Sequence, residues 1–221
     1  DECKNCTDER QFVGWNGQHW TTLDDLRESH RIFVRLQEAG LYGIGMEPSF
    51  AIGQRAPLVT HPDGNVYWDC IPLIDGSLVE MVNGIGGTSA IAISHPHYDT
   101  SMAEWSRAFD CPIYFHVADR DWVRQPDSAN EFWDGETKEI GHDLTLIRCG
   151  GQFEGGTVLH WPDGAGGKGV ILSGNILQAM RDPRWVSLMY SYPKLIPSPP
   201  STVRRIVAAV EPLDLERIYG T

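Results

Sequence analysis

The run Ala90-Ile91-Ala92-Ile93-Ser94-His95-Pro96-His97-Tyr98-Asp99-Thr100 decides how this chain is read. Its first four residues are apolar, which predicts a buried strand over 89–94. Directly beyond it stand two imidazoles and a carboxylate on alternate residues. Alternate side chains of extended backbone point to the same side. His95, His97 and Asp99 are therefore expected to converge on one point, and they are side chains that bind a borderline metal such as zinc.

Outward from that run, a helix is expected over 101–109 and a second strand over 112–117, with another helix opening at 119–123. Towards the N-terminus, 57–73 reads as a β-hairpin turning at Pro62-Asp63-Gly64-Asn65. Thr21 or Thr22 with Asp24 or Asp25 makes a capping-box-like start. The helix it opens is expected to carry Leu26, Ile32, Phe33 and Leu36 as far as Gly40. Towards the C-terminus, 143–148 alternates as a half-buried strand. Segments 156–161 and 169–172 flank a Gly-rich hairpin turn, and a helix over 202–210 precedes a short strand at 217–219. Hairpins mixed with crossovers predict an α/β (α+β) fold, two mixed sheets covered by helices. One domain over 1–221 is expected, with an irregular start at 1–20.

The 221 residues are 41% hydrophobic, enough for a substantial core. A formal charge of −12 gives an acidic surface that repels phosphate backbones, so nucleic acid is not expected as a partner. No apolar stretch reaches membrane-span length and no signal-peptide pattern opens the chain, so no membrane partner is expected. Five cysteines, at 3, 6, 70, 111 and 149, are an odd and scattered set rather than a disulfide framework. The expected compartment is the cytoplasm. Cys3 and Cys6 have the spacing of half a structural metal site or of a redox pair, and also suit a plain polar terminal segment.

Three loops each follow a strand: His95-Pro-His-Tyr-Asp99, Gly150-Gly-Gln-Phe-Glu-Gly-Gly156 and Ser173-Gly-Asn-Ile-Leu177. Together, over about 45 to 220, they resemble the metal loops of the metallo-β-lactamase superfamily. Four phrases resemble, within it, a bacterial and fungal branch of MBL-fold metallo-hydrolases. They are Cys-x-x-Cys-x-Asp-Glu-Arg-Gln from Cys3, Ser-His-Pro-His-Tyr from Ser94, Val-Leu-His-Trp from Val158 and Ser-Tyr-Pro-Lys-Leu-Ile-Pro from Ser191.

The resemblance implies an αββα sandwich and metal-hydroxide attack on an ester, lactone, thioester or lactam carbonyl. In that chemistry His95 and His97 hold the metal, and Asp99 is both ligand and the catalytic group that orients water. Four superfamily ligands are missing. Thr100 and Gln152 stand where histidines are expected, Asn175 stands where a bridging carboxylate is expected, and Tyr219-Gly220-Thr221 offers no final histidine. Gln152 and Asn175 thus mark former ligand positions of a degenerate site.

Two dications about 4 Å apart repel by roughly 16 kcal/mol at an effective dielectric near 20. Without the bridging carboxylate, at most one zinc or iron ion is expected, on His95, His97 and Asp99 with Gln152 as a weak fourth ligand. The alternative is no ion at all. Tyr98, Trp185 and Tyr190 are candidate walls of an aromatic substrate pocket, and Cys3 and Cys6 a candidate structural metal pair. The functional expectation is a hydrolase-like protein with weak or absent turnover. The alternative is a non-catalytic protein that binds a small-molecule ligand on the same fold.

Overall fold

The structure, a computed structural model, describes residues 4–11, 13–124, 127–141 and 143–220. Cys3 and Thr221 lie outside these residues. A short helical turn, α1 (Lys4–Thr7), comes first. Helix α2 (Leu23–Ser29) then starts where the capping box places it. Thr22 Oγ1 accepts from the Asp25 N–H at 3.1 Å, and Asp25 Oδ2 accepts from the Thr22 N–H at 3.4 Å.

Its predicted continuation to Gly40 is overturned. Residues Arg31–Glu38 form strand β1, paired antiparallel with β2 (Leu41–Glu47). Ile32 and Val34 are β-branched and Phe33 is aromatic, so these side chains favour a pleated surface over a helix. Gly40, at φ +84°, turns the hairpin between them.

Five further strands complete the first sheet: β3 (Ala56–Val59), β4 (Val66–Trp68), β5 (Ala90–Ala92), β6 (Ile113–His116) and β7 (Asn130–Trp133). Their spatial order follows the sequence, antiparallel from β1 to β4 and parallel from β4 to β7. Helices α3 (Gly76–Gly84) and α4 (Met102–Phe109) are the crossovers that parallel strands require. The helix expected from 119 is instead a 3₁₀ segment, Val117–Trp122.

The second sheet contains β8 (Thr137–Glu139), β9 (Thr145–Arg148), β10 (Thr157–Trp161), β11 (Val170–Gly174) and β16 (Arg217–Gly220). Its order is β16-β11-β10-β9-β8, and only β11 with β16 is parallel. A distorted turn, α5 (Gly164–Gly167), closes the β10–β11 hairpin, and α6 (Pro200–Val210) leads into β16. Two small ribbons project beyond: β12 (Gln178–Ala179) with β13 (Val186–Ser187), and β14 (Met189–Ser191) with β15 (Ile196–Pro197).

The layering follows from alternation along the strands. In β4, Val66 and Trp68 pack against Leu159, Val170 and Leu172 of the second sheet, while Tyr67 between them packs with Leu78, Val82 and Trp105 of the helices. In β10 and β11, Val158 and Ile171 turn outward to Ile206 and Val210 of α6. The order is helix, sheet, sheet, helix, as expected. Thr157 N–H donates to Ser94 O at 2.9 Å and ties the sheets at one edge, where the loops after β5, β9 and β11 meet. Among the described residues no helix is long and apolar enough to cross a membrane.

Candidate functional site

The loop after β5 does not stay extended. Pro96–Tyr98 form a 3₁₀ turn, in which residues three apart eclipse and residues two apart diverge. His95 and Tyr98 accordingly meet at 4.5 Å with their rings tilted by 31°, and Tyr98 is 1% exposed in the core. His95 and His97 stand 5.5 Å apart with their rings at 86°. Asp99 diverges with the turn, and its charge bears on the Cys70 thiol; burial pushes its own pKa up to about 7. The expected convergence of His95, His97 and Asp99 is thereby corrected. Among the described residues no group of three or more His, Cys, Asp or Glu side chains is gathered where it could hold a metal.

The loop is held from below by Asp69, which accepts from the Ser94 N–H at 2.7 Å and the Ser94 hydroxyl at 3.0 Å. Burial pushes the Asp69 pKa up to about 7. From the second sheet, Gly174 comes so close that a Cβ there would lie 2.7 Å from Ser94 Oγ. This approach delivers Asn175 to His95. His95 Nδ1 accepts from the His97 N–H at 3.2 Å, so Nε2 carries the proton and donates to Asn175 Oδ1 at 2.7 Å. Burial holds the His95 pKa well below its ordinary value, so the ring is neutral and both nitrogens are used.

The second histidine is satisfied from the N-terminus. Asp8 Oδ2 lies 3.0 Å from His97 Nε2. Burial raises the Asp8 pKa, but the hydrogen bonds from His97 and Arg10 and the Arg10 charge outweigh it and hold the carboxyl well below the usual carboxylate range. An ionised carboxylate only accepts, so His97 Nε2 donates. Burial also lowers the His97 pKa, against the pull of Asp8.

Arg10 grips the same carboxylate: Nε reaches Oδ1 at 2.8 Å and Nη2 reaches Oδ2 at 2.6 Å. The two side chains are only 9% and 3% exposed. The guanidinium lies 4.1 Å from the Phe153 ring centroid, 5.3 Å from Trp122 and 6.0 Å from Tyr190. Phe153 in turn stacks on His95 at 5.3 Å and meets His97 edge-on at 4.6 Å.

This strap, 8–10, is clamped by the β14–β15 ribbon. Ser191 Oγ donates to Arg10 O at 2.8 Å, Tyr190 Oη donates to the Glu9 carboxylate, and Lys194 Nζ donates to Glu9 O. Asp8, Arg10, Trp122 and Phe153 were not singled out by sequence reasoning. For Asp8 and Arg10 the signal was the phrase Asp8-Glu9-Arg10-Gln11, legible as a family phrase but not as part of a site.

The remaining candidates fall elsewhere. Gln152 Nε2 donates to Met189 O at 3.2 Å, turned to the ribbon and not to the histidines. Trp185 is 66% exposed and lines a separate hollow with Leu215, Arg217 and Tyr219. Tyr190 faces Arg10 and Glu9, and Tyr98 packs on His95 from within the core, so two of the three proposed pocket aromatics border the centre. Cys6 lines the cleft described next, while its proposed partner Cys3 lies outside the described residues. That cleft, of about 520 Å³, has His97 and Thr100 in its wall with Asn5, Gln11 and Gln18, and Val13, Ile52 and Pro193 as its apolar part.

A metal does not fit the centre as built. Ligation through His95 Nε2 would need the other tautomer, which sets two N–H groups against each other at His95 Nδ1 and His97 N. The bridging position holds a neutral amide, and the guanidinium already supplies a positive charge beside His97. Asp8 and His97 satisfy each other.

No protein-family model matches the chain. It is 47% identical over 222 residues to the uncharacterised protein YmaE of Bacillus subtilis (strain 168), covering all of this chain and 81% of that protein. Among solved structures it superposes on the DIM-1 metallo-β-lactamase with a TM-score of 0.64 at 10% identity, covering 86% of this chain and 88% of that one. The FIM-1 metallo-β-lactamase from Pseudomonas aeruginosa, in its mono-zinc form, gives 0.61 at 12% identity and covers 86% of each chain. SMB-1, in a complex with mercaptoacetic acid, gives 0.56 at 18% identity over 82% of this chain and 76% of that one. The chain belongs to the family of YmaE and has the metallo-β-lactamase fold.

Proposed function

We propose that this protein is a non-hydrolytic member of the metallo-β-lactamase fold that binds a small, uncharged molecule without a metal. One observation carries the reading: the imidazole nitrogens at the site, His95 Nε2 and His97 Nε2, are closed by Asn175 and Asp8. With both nitrogens closed, a metal-bound hydroxide has nowhere to form. The cleft beside His97 sets the ligand class. Among the described residues its wall offers amides, a hydroxyl, a thiol and a neutral imidazole, with an apolar side and no carboxylate, lysine or arginine. Such a lining suits a neutral molecule with hydrogen-bonding groups and an apolar part, an amide or a lactone for example. A charged ligand would leave water for a wall whose described residues carry no counter-charge.

Ligand-observed NMR with a set of small amides and lactones, matched to carboxylates and amines of similar size, tests this. The neutral compounds are expected to bind, and Thr100→Val with Gln18→Ala to abolish their signal. Binding confined to the charged compounds, or one metal ion per purified chain that disappears in His97→Ala, would refute it.

A further inference from the structure

Resting on that metal-free reading, we propose that Arg10 is the built-in cation of this centre, and that its pairing with Asp8 is what keeps divalent metal out. A metallohydrolase site brings a cation, a carboxylate and imidazoles together. Here the same three kinds of group meet, but the cation is covalently part of the chain. Arg10 lies over Phe153, which itself lies against both imidazoles, and its fork holds both Asp8 oxygens. Asp8 also bonds His97, so the carboxylate links a cation to an imidazole as a ligand carboxylate does in a metal site.

The occupant is fixed in place by the β14–β15 ribbon. Ser191, Tyr190 and Lys194 of the ribbon hold the backbone and side chain of the strap at Glu9 and Arg10. A guanidinium has no lone pair to give a metal, and it repels a dication at this distance. With the guanidinium gone, a buried carboxylate would be left beside His97 with its charge unbalanced. His95 stands one ring further on. His95 stays closed by Asn175, so the donors released are His97 and Asp8, an imidazole and a carboxylate of the kinds that cobalt or zinc accepts with water completing the shell.

Co²⁺ titration, followed by visible absorption, tests the proposal on the full chain and on Arg10→Met and Arg10→Met/Asp8→Asn, with circular dichroism as the folding check. The wild type is expected to show no saturable cobalt spectrum. Arg10→Met should gain one saturable equivalent, with at least a ~10-fold fall in apparent Kd, and the double variant should lose that gain. A folded Arg10→Met that takes no cobalt overturns the proposal and leaves the metal-free reading standing. So does a double variant that binds as well as the single one. Wild-type cobalt binding that is lost in His97→Ala overturns both. If Arg10→Met does not fold, Arg10→Lys decides: it keeps the charge and is expected to fold and stay free of cobalt. Failure of Arg10→Lys to fold, or its gain of cobalt, overturns the proposal.

Discussion

Arg10 and Asp8 form a pair that is almost wholly desolvated, and breaking such a pair from one side leaves an unbalanced charge in low dielectric. Arg10→Met is expected to lose about 3–5 kcal/mol of unfolding free energy in urea. Adding Asp8→Asn should restore part of that loss, since it removes the stranded charge; a double-mutant cycle measures the coupling.

Asp69 makes a prediction of opposite electrostatic sign. Its folded pKa is raised to about 7, above the unfolded value, so its contribution is fully present below pH 4 and is lost as pH rises through 7. Asp69→Asn should therefore gain relative stability between about pH 4 and pH 7, by up to ~4 kcal/mol, and melts across that range check it. The imidazoles were legible in the sequence because His95 and His97 sit beside an apolar run. Their partners were not. Asp8 lies 89 residues from His97 and Asn175 lies 80 from His95, and no local pattern reports contacts at that separation.

Elements obeyed local rules where a local rule applied. The capping box began α2 at Thr22, the hairpins turned at their Gly-bearing loops, and β5 and β6 fell inside their predicted spans. Strand β1 did not, because its pairing with β2 outweighs the apolar spacing that imitates a helix from Leu26 to Leu36. The Pro96–Tyr98 turn misled in a different way: a His-x-His-x-Asp pattern converges only if the backbone stays extended.

Thr22→Ala should cost about 1 kcal/mol, seen as a lower urea midpoint with an unchanged m-value. Gly156→Ala should cost far more, because the new Cβ would meet Gly150 O at 2.2 Å, a backbone atom that cannot swing aside. An insoluble or unfolded Gly156→Ala, beside a soluble Thr22→Ala, is the expected expression result.

At the scale of the molecule, the αββα layering survives while its centre has changed hands. Restoring the superfamily residues alone should therefore not restore a metal. Gln152→His with Asn175→Asp is expected to purify with well below one ion per chain, since Gln152 is turned to Met189 and Arg10 still fills the centre. Occupancy should rise only when Arg10→Met is added, as elemental analysis would read.

The clamp on the strap has a consequence in time as well as in space. Glu9 and Arg10 meet Tyr190, Ser191 and Lys194 across 181 to 185 residues of chain, so a ribosome makes the strap long before it makes the clamp. Both sheets except β16 are synthesised in the interval. The strap must wait through that interval without its clamp, and the centre is among the last parts of the newborn protein to shut.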